Sequence, residues 1–95
     1  MLPKISIIIP CYNSGEYLKE AIDSVRQYPC PQEYEVIVVD DGSTDENTLS
    51  LLKNFSELYL VIHRTNGGPA AARNTGAKAA SSELLLFLDS DNRIR

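Results

Sequence analysis

The sequence predicts an α/β fold: a parallel sheet of four strands in the order 3-2-1-4, with helices on both faces. Three observations predict it. Apolar runs over residues 5–9, 34–39, 58–62 and 84–88 alternate with segments of helical periodicity, giving β-α-β-α-β-α-β. The runs are nearly continuous rather than alternating, as in strands covered on both sides. Tyr12-Asn13, Asp40-Asp41 and Asp89-Ser90-Asp91 follow three of these runs, at the carboxyl ends where open α/β sheets bind ligands. Right-handed crossovers lay the first three strands out as 3-2-1 and return the fourth to the far side of the first. The topological switch point then lies between strands one and four.

Ile5-Ser6-Ile7-Ile8-Ile9 is β-branched and almost wholly apolar, a central strand that Pro10 is expected to end. After the loop at Cys11-Tyr12-Asn13-Ser14-Gly15, Asn13 and Glu16 have the spacing of a helix cap and its acidic partner. Leu18, Ala21, Ile22 and Val25 form one apolar helix face, and Pro29 and Pro31 end the helix. The second strand, from Tyr34 to Val39, closes at Asp40-Asp41-Gly42-Ser43-Thr44-Asp45. Ser43 and Glu46 have capping-box spacing for a second helix carrying Leu49, Leu51, Leu52 and Phe55. A third strand over 58–62 leads to the loop Asn66-Gly67-Gly68, and Pro69 suits the first turn of a third helix. Alanines at 70, 71, 72, 77, 79 and 80 let that helix lie close to the sheet, before Ser81-Ser82 ends it. The fourth strand, Leu84-Leu85-Leu86-Phe87-Leu88, delivers Asp89 and Asp91. The pattern is Rossmann-like and has no internal repeat, low-complexity tract or linker.

A chain of 95 residues makes one small domain or part of a larger one. With 43% hydrophobic and 23% charged residues it has the composition of a folded globular chain. A net charge of −4 without a basic stripe argues against nucleic acid as a partner. Cys11 and Cys30 have no metal-ligand spacing and form no secreted framework, so they read as reduced thiols. The N-terminal run is too short to span a bilayer and is not laid out as a signal peptide. Cytoplasmic is the expected location, the cytoplasmic face of a membrane included for the whole protein.

Carboxylate oxygens such as those of Asp89 and Asp91 are hard ligands that suit Mg²⁺ or Mn²⁺ together with substrate phosphates. A solvated acidic loop is the plainer reading. Phosphotransferases of the haloacid dehalogenase type also place Asp-x-Asp after an apolar strand. They show it near the chain's start, with Thr or Val two residues on, where this sequence has Arg93. Asp40-Asp41-Gly42-Ser43 could be a capped turn, or could offer a carboxylate to a nucleoside N–H or hydroxyl. Tyr12 is either a surface tyrosine or a ring that stacks on a base. Asn66-Gly67-Gly68, Pro69 and Arg73 form a loop before a helix N-terminus, a place suited to anions. No Walker pattern and no Gly-x-Gly-x-x-Gly is present, which disfavours P-loop and nicotinamide readings. His63 reads as structural, and nothing marks Cys11 as a nucleophile.

The segments Ser6-Ile7-Ile8-Ile9-Pro10-Cys11-Tyr12-Asn13 and Glu35-Val36-Ile37-Val38-Val39-Asp40-Asp41-Gly42-Ser43-Thr44-Asp45 are followed by Asn66-Gly67-Gly68-Pro69-Ala70-Ala71-Ala72-Arg73-Asn74-Thr75-Gly76 and Phe87-Leu88-Asp89-Ser90-Asp91. In this order they resemble the N-terminal, nucleotide-binding half of a family 2 glycosyltransferase with the GT-A fold. The resemblance implies that residues 1–95 are a single partial domain, a truncated GT-A unit. It implies that Pro10, Tyr12 and Asp41 contact the base, with Asp40 beside them and Arg73 near the nucleotide. Asn13 and Gly68 complete the expected nucleotide-sugar set. Asp89 would face the ribose or the metal, and Asp91 would bind the Mn²⁺ or Mg²⁺ that holds the diphosphate. The implied reaction is inverting transfer from a nucleotide-diphosphate sugar, a UDP-sugar favoured, to an acceptor hydroxyl. The catalytic base and the acceptor region are expected beyond Arg95, so residues 1–95 alone are expected to bind donor without turnover. A noncatalytic nucleotide-binding or interaction module of the same fold is the alternative. The isolated chain is also expected to self-associate through the edge strand from Leu84 to Leu88.

Overall fold

The computed structural model describes residues 4–27 and 33–88. Seven elements follow one another: β1 (Ile5–Cys11), α1 (Glu16–Arg26), β2 (Tyr34–Asp40), α2 (Glu46–Phe55), β3 (Leu60–His63), α3 (Pro69–Ala79) and β4 (Leu84–Phe87). The strands form one parallel sheet in the expected order, β3-β2-β1-β4. Pro29, Pro31, Cys30, Asp89 and Asp91 lie outside the described residues. No helix among the described residues is long and apolar enough to cross a membrane.

Side-chain alternation along the strands divides the core in two. On one face Ile7, Ile9 and Cys11 of β1, with Val36 and Val38 of β2, meet Leu18, Ala21, Ile22 and Val25 of α1. Leu52 and Phe55 of α2 close the same layer. On the other face Ile8, Ile37 and Val39 pack against Ala72 of α3, with Ile62 and Leu85 at the margins. Each fully buried Ile, Leu or Val contributes about 1.5–3 kcal/mol relative to exposure, so the two central strands anchor the domain. At the amino ends of the strands a polar cluster ties down the α3–β4 turn. The buried Ser6 hydroxyl bonds Glu35 and Ser82, and the same Glu35 carboxylate accepts from the Ser81 N–H at 2.6 Å.

Several local expectations are corrected. β1 runs through Pro10 rather than stopping before it. The Cys11 carbonyl faces β2 and accepts from the Asp41 N–H at 2.8 Å, whereas the Ile8 carbonyl faces β4 and accepts from Leu88 at 2.9 Å. Alternation therefore points Pro10 to the β4 side, where pairing among the described residues ends with Phe87 opposite Ile8, so its missing N–H takes nothing from the pairing with β2. Asn13 does not cap α1. That place falls to Gly15, at φ 53 and without a side-chain cap bond, because Asn13 is engaged elsewhere. Ser43 does not cap α2 either. Asp45 does, accepting from the Thr48 N–H at 2.9 Å and the Thr48 hydroxyl at 2.8 Å. β3 starts at Leu60, since the Leu58 N–H still bonds the Phe55 carbonyl at 2.9 Å and prolongs the helix end.

β4 is not covered on both faces. Leu84, Leu86 and Phe87 are 61%, 44% and 42% exposed. Among the described residues the strand is an edge that pairs only with β1, and α3 packs over β1 and β2 instead.

α3 lies close to the sheet because Gly76 is buried against it. A Cβ there would collide with Ile8 Cγ2 and come within 3.2 Å of Val39 Cγ2. In an open helix interior Gly→Ala stabilises by about 1 kcal/mol. Here overpacking reverses the sign, and Gly76→Ala is expected to destabilise by about 1–3 kcal/mol in urea unfolding. A stabilised variant would place α3 farther from the sheet.

Candidate functional site

β1 and β2 end side by side, Cys11 opposite Asp40, so their loops leave the sheet together. Asn13 joins them. Its side-chain oxygen accepts from the Thr44 and Asp45 N–H groups at 2.8 and 2.9 Å, and its own N–H donates to Ser43 Oγ at 2.9 Å. This reach requires a left-handed backbone, φ 50, which asparagine tolerates better than most residues. The Gly15 N–H adds a second tie, to Thr48 Oγ1 at 2.8 Å. Asn13 therefore knits two loops and is not among the cleft-lining residues.

The two consecutive aspartates separate in role. Asp40 is buried at the end of β2, its carboxylate taking the Ser43 N–H at 2.9 Å on one oxygen and His63 Nδ1 at 2.9 Å on the other. Neither it nor His63 is among the residues that line the cleft. Asp41 is buried too, and faces the β3–α3 loop. Its Oδ1 accepts from Gly67 N–H at 2.9 Å and pairs with Arg64 Nε at 3.2 Å. Its Oδ2 accepts from Gly68 N–H at 2.9 Å and from Asn66 Nδ2 at 3.3 Å. The Asn66 amide also donates to the Asp41 carbonyl at 2.9 Å. A carboxylate out of water needs such donors, and here one loop supplies nearly all of them.

The loops enclose an open cleft of about 380 Å³. Of the residues expected at a site, Pro10, Tyr12, Asp41, Gly68 and Arg73 all line it. Tyr12 presents a half-exposed ring, the kind of surface on which a planar heterocycle stacks. Gly68 takes φ 98, and a Cβ built there would meet no atom within 4 Å, so the wall is open to a ligand. Asn66, expected only as part of the anion-suited loop, lines the cleft as well, and so does Ser14, which was not singled out from the sequence. Asn66 had a signal, its place in the loop before α3. Arg64 was also missed, for its sequence neighbourhood looks like that of any solvated arginine after a strand. Asp89 and Asp91 lie outside the described residues, and no group of three or more His, Cys, Asp and Glu among the described residues could hold a metal ion.

A profile of the family described as Glycosyl transferase family 2 matches residues 6–95. The chain is 46% identical over 97 residues to the poly(ribitol-phosphate) beta-glucosyltransferase of Bacillus spizizenii, covering 96% of this chain and 15% of that protein. It superposes on Staphylococcus aureus TarS 1–349 in complex with UDP with a TM-score of 0.81 and 42% identity, over 93% of this chain and 27% of that one. The mannosyltransferase PcManGT from Pyrobaculum calidifontis, in complex with GDP-Man and Mn²⁺, matches at a TM-score of 0.81 and 31% identity, over 96% of this chain and 28% of that one. The chain thus spans less than a third of the length of each.

Cys11 borders the cleft but is buried. Burial pushes its thiol above the ordinary value of 9.0, the Asp40 carboxylate adds to the rise, and hydrogen bonds with Ser14 and Ser43 oppose it. The thiol form is thus retained in the fold, and the unfolded chain gives up its proton first as pH rises. Stability linked to Cys11 is intact below the unfolded thiol's pKa and declines as pH climbs through the folded one. Iodoacetamide at neutral pH is expected to label Cys11 at least about tenfold more slowly in the folded than in the unfolded protein, read by peptide mass mapping. Rapid labelling near pH 7 would reveal an activated, open thiol instead.

Proposed function

Because the chain belongs to glycosyl transferase family 2, we propose that the whole protein moves a sugar from a nucleoside diphosphate to an acceptor hydroxyl, with the nucleoside in the cleft described above. The observation that carries this reading is the convergence of Pro10, Tyr12, Asp41, Gly68 and Arg73 on one cleft at the carboxyl ends of the strands. A UDP-sugar is the favoured donor, because the TarS structure of 42% identity is a UDP complex and the GDP-Man complex is more distant at 31%.

In this reading the Tyr12 ring stacks on the base while Pro10 bounds it. The oxygens of Asp41 already take two donors each. A base N–H reaching that carboxylate shares it with, or displaces, the Asn66 amide, whose contact is the longest of the four at 3.3 Å. Arg73, beside the N-terminus of α3, offers positive charge toward the phosphates. Asp40 and Asn13 act from behind the cleft by fixing its loops. Asp89 and Asp91 are the proposed holders of Mn²⁺ or Mg²⁺, and their hard oxygens fit such an ion. The described chain leads toward them beside β1, where the Leu88 N–H bonds Ile8 at 2.9 Å. Such an ion, when bound, supplies Lewis-acid stabilisation of the charge that gathers on the diphosphate. Transfer is proposed to invert the anomeric carbon. The acceptor oxygen attacks opposite the leaving group, the bond to the diphosphate oxygen breaks, and the hydroxyl proton passes to a carboxylate base. Neither Asp40 nor Asp41 suits that role, as both carboxylates are engaged by the fold, and the base is proposed to lie outside residues 1–95.

Calorimetric titration of the whole protein with UDP, with and without Mn²⁺, tests the reading. Binding is expected to depend on the metal in the wild type and to lose that dependence in Asp91→Ala. Tyr12→Ala should weaken it by about tenfold or more, the scale of one lost aromatic stack. No UDP binding by the folded wild-type protein, or binding indifferent to Tyr12, would overturn the assignment.

A further inference from the structure

Arg64 is not among the residues that line the cleft, yet its side chain bonds at several points around it. Its backbone N–H bonds the Asp40 carbonyl at 2.9 Å, which sets the residue at the exit of β3. The side chain then runs beneath the β3–α3 loop. Nε lies 3.2 Å from Asp41 Oδ1 and donates to the Thr65 carbonyl at 3.0 Å. Nη1 donates to the Ala71 carbonyl at 3.1 Å and to Thr75 Oγ1 at 2.6 Å. Nη2 occupies the space that a side chain at position 67 would need, since a Cβ on Gly67 would stand 2.7 Å from it. One planar fork thus touches the end of β2, the loop and the first two turns of α3.

The loop needs that support. Two successive glycines have more backbone freedom to lose than any other pair, and the N–H groups of Gly67 and Gly68 must both stay aimed at Asp41. Asn66, Gly68 and Arg73 then enter the cleft from the loop and helix that Arg64 spans. We propose that Arg64 is a positioning residue for the nucleotide: it fixes the loop over 65–68 and the start of α3 against Asp41, and so sets the cleft wall without touching the ligand. This rests on the reading of the cleft as a nucleotide site. Lysine cannot replace it. A single ammonium can stay opposite Asp41 but cannot bridge to Ala71 and Thr75 as well.

The test uses the whole protein and the variants Arg64→Ala, Arg64→Lys and Gly67→Ala, with donor kinetics, urea unfolding and amide exchange of the nucleotide-free state. Arg64→Lys is expected to recover most of the stability lost in Arg64→Ala while donor KM stays raised by about tenfold and kcat holds within about twofold. Exchange of the Gly67 and Gly68 amides should accelerate in both Arg64 variants. Gly67→Ala should raise KM in the wild-type background and add much less in Arg64→Ala, where the guanidinium it collides with is gone and only the milder approach to Ala71 Cβ, at 3.3 Å, remains. A merely structural arginine would lower stability and the active fraction and leave donor KM unchanged, which overturns the proposal, as would unaltered exchange at Gly67 and Gly68. Failure of the wild-type protein to bind any nucleoside diphosphate would show separately, before any variant is made, and would remove the nucleotide reading together with the proposal.

Discussion

The burial of the Asp41 carboxylate is the constraint on which the carboxyl edge of this domain depends. A charge taken out of water must be met by donors. The donors come from the β3–α3 loop, whose backbone folds around the carboxylate and whose arginine pairs with it. The geometry of that loop follows from the demand. So does the cleft, because Asn66 and Gly68 face it only while their other polar groups are turned to Asp41.

The neighbouring Asp40 meets the same constraint in the opposite direction. It draws in Ser43 and His63, while Asn13 binds the backbone of the following residues. Two adjacent acidic residues thereby organise two different loops. Alternation at the end of a strand is enough to explain the division, since successive side chains leave on opposite faces. The adjacent Asn13 keeps Tyr12 near the base of both systems, and this is how residues from three separate loops come to share one surface.

Strand order, the three helices and the apolar face of α1 were legible in the sequence, because continuous apolar runs and helical spacing are local signals. On α2, Leu49 is exposed and Thr48 is buried beside Leu52 and Phe55 instead. The end of the sheet at which Tyr12, Asp41, Gly68 and Arg73 gather was legible from where their loops leave it, while Pro10 was expected only from the family resemblance, and Asn13 and Asp40, at the same end, do not line the cleft. The caps were not legible. Asn13 and Ser43 each sit at a spacing that suits a helix start, but they have a stronger alternative in each other's loops, which no window of the sequence can reveal. Likewise the apolar run at Leu84 to Phe87 reads as covered on both sides, whereas cover is a property of what packs upon it. Arg64 escaped notice because its role depends on an atom that is missing, the Cβ of Gly67, and on the burial of an aspartate elsewhere. The carboxylates Asp89 and Asp91 stand outside the described residues.

The place of β4 in the sheet has a consequence for how the domain assembles during synthesis. β1, β2 and β3 pair with near neighbours in the chain, and each pairing closes as soon as its helix has been made. The first strand's other flank must wait. Its partner arrives only after all three helices, and the serine contact that locks the two together spans 76 positions. Closing so long a loop is the entropically slow step, and until it is complete the buried strand β1 has a bare side. A nascent chain halted just short of Leu84 would therefore carry three paired strands with the central one open at its flank, a natural substrate for chaperones.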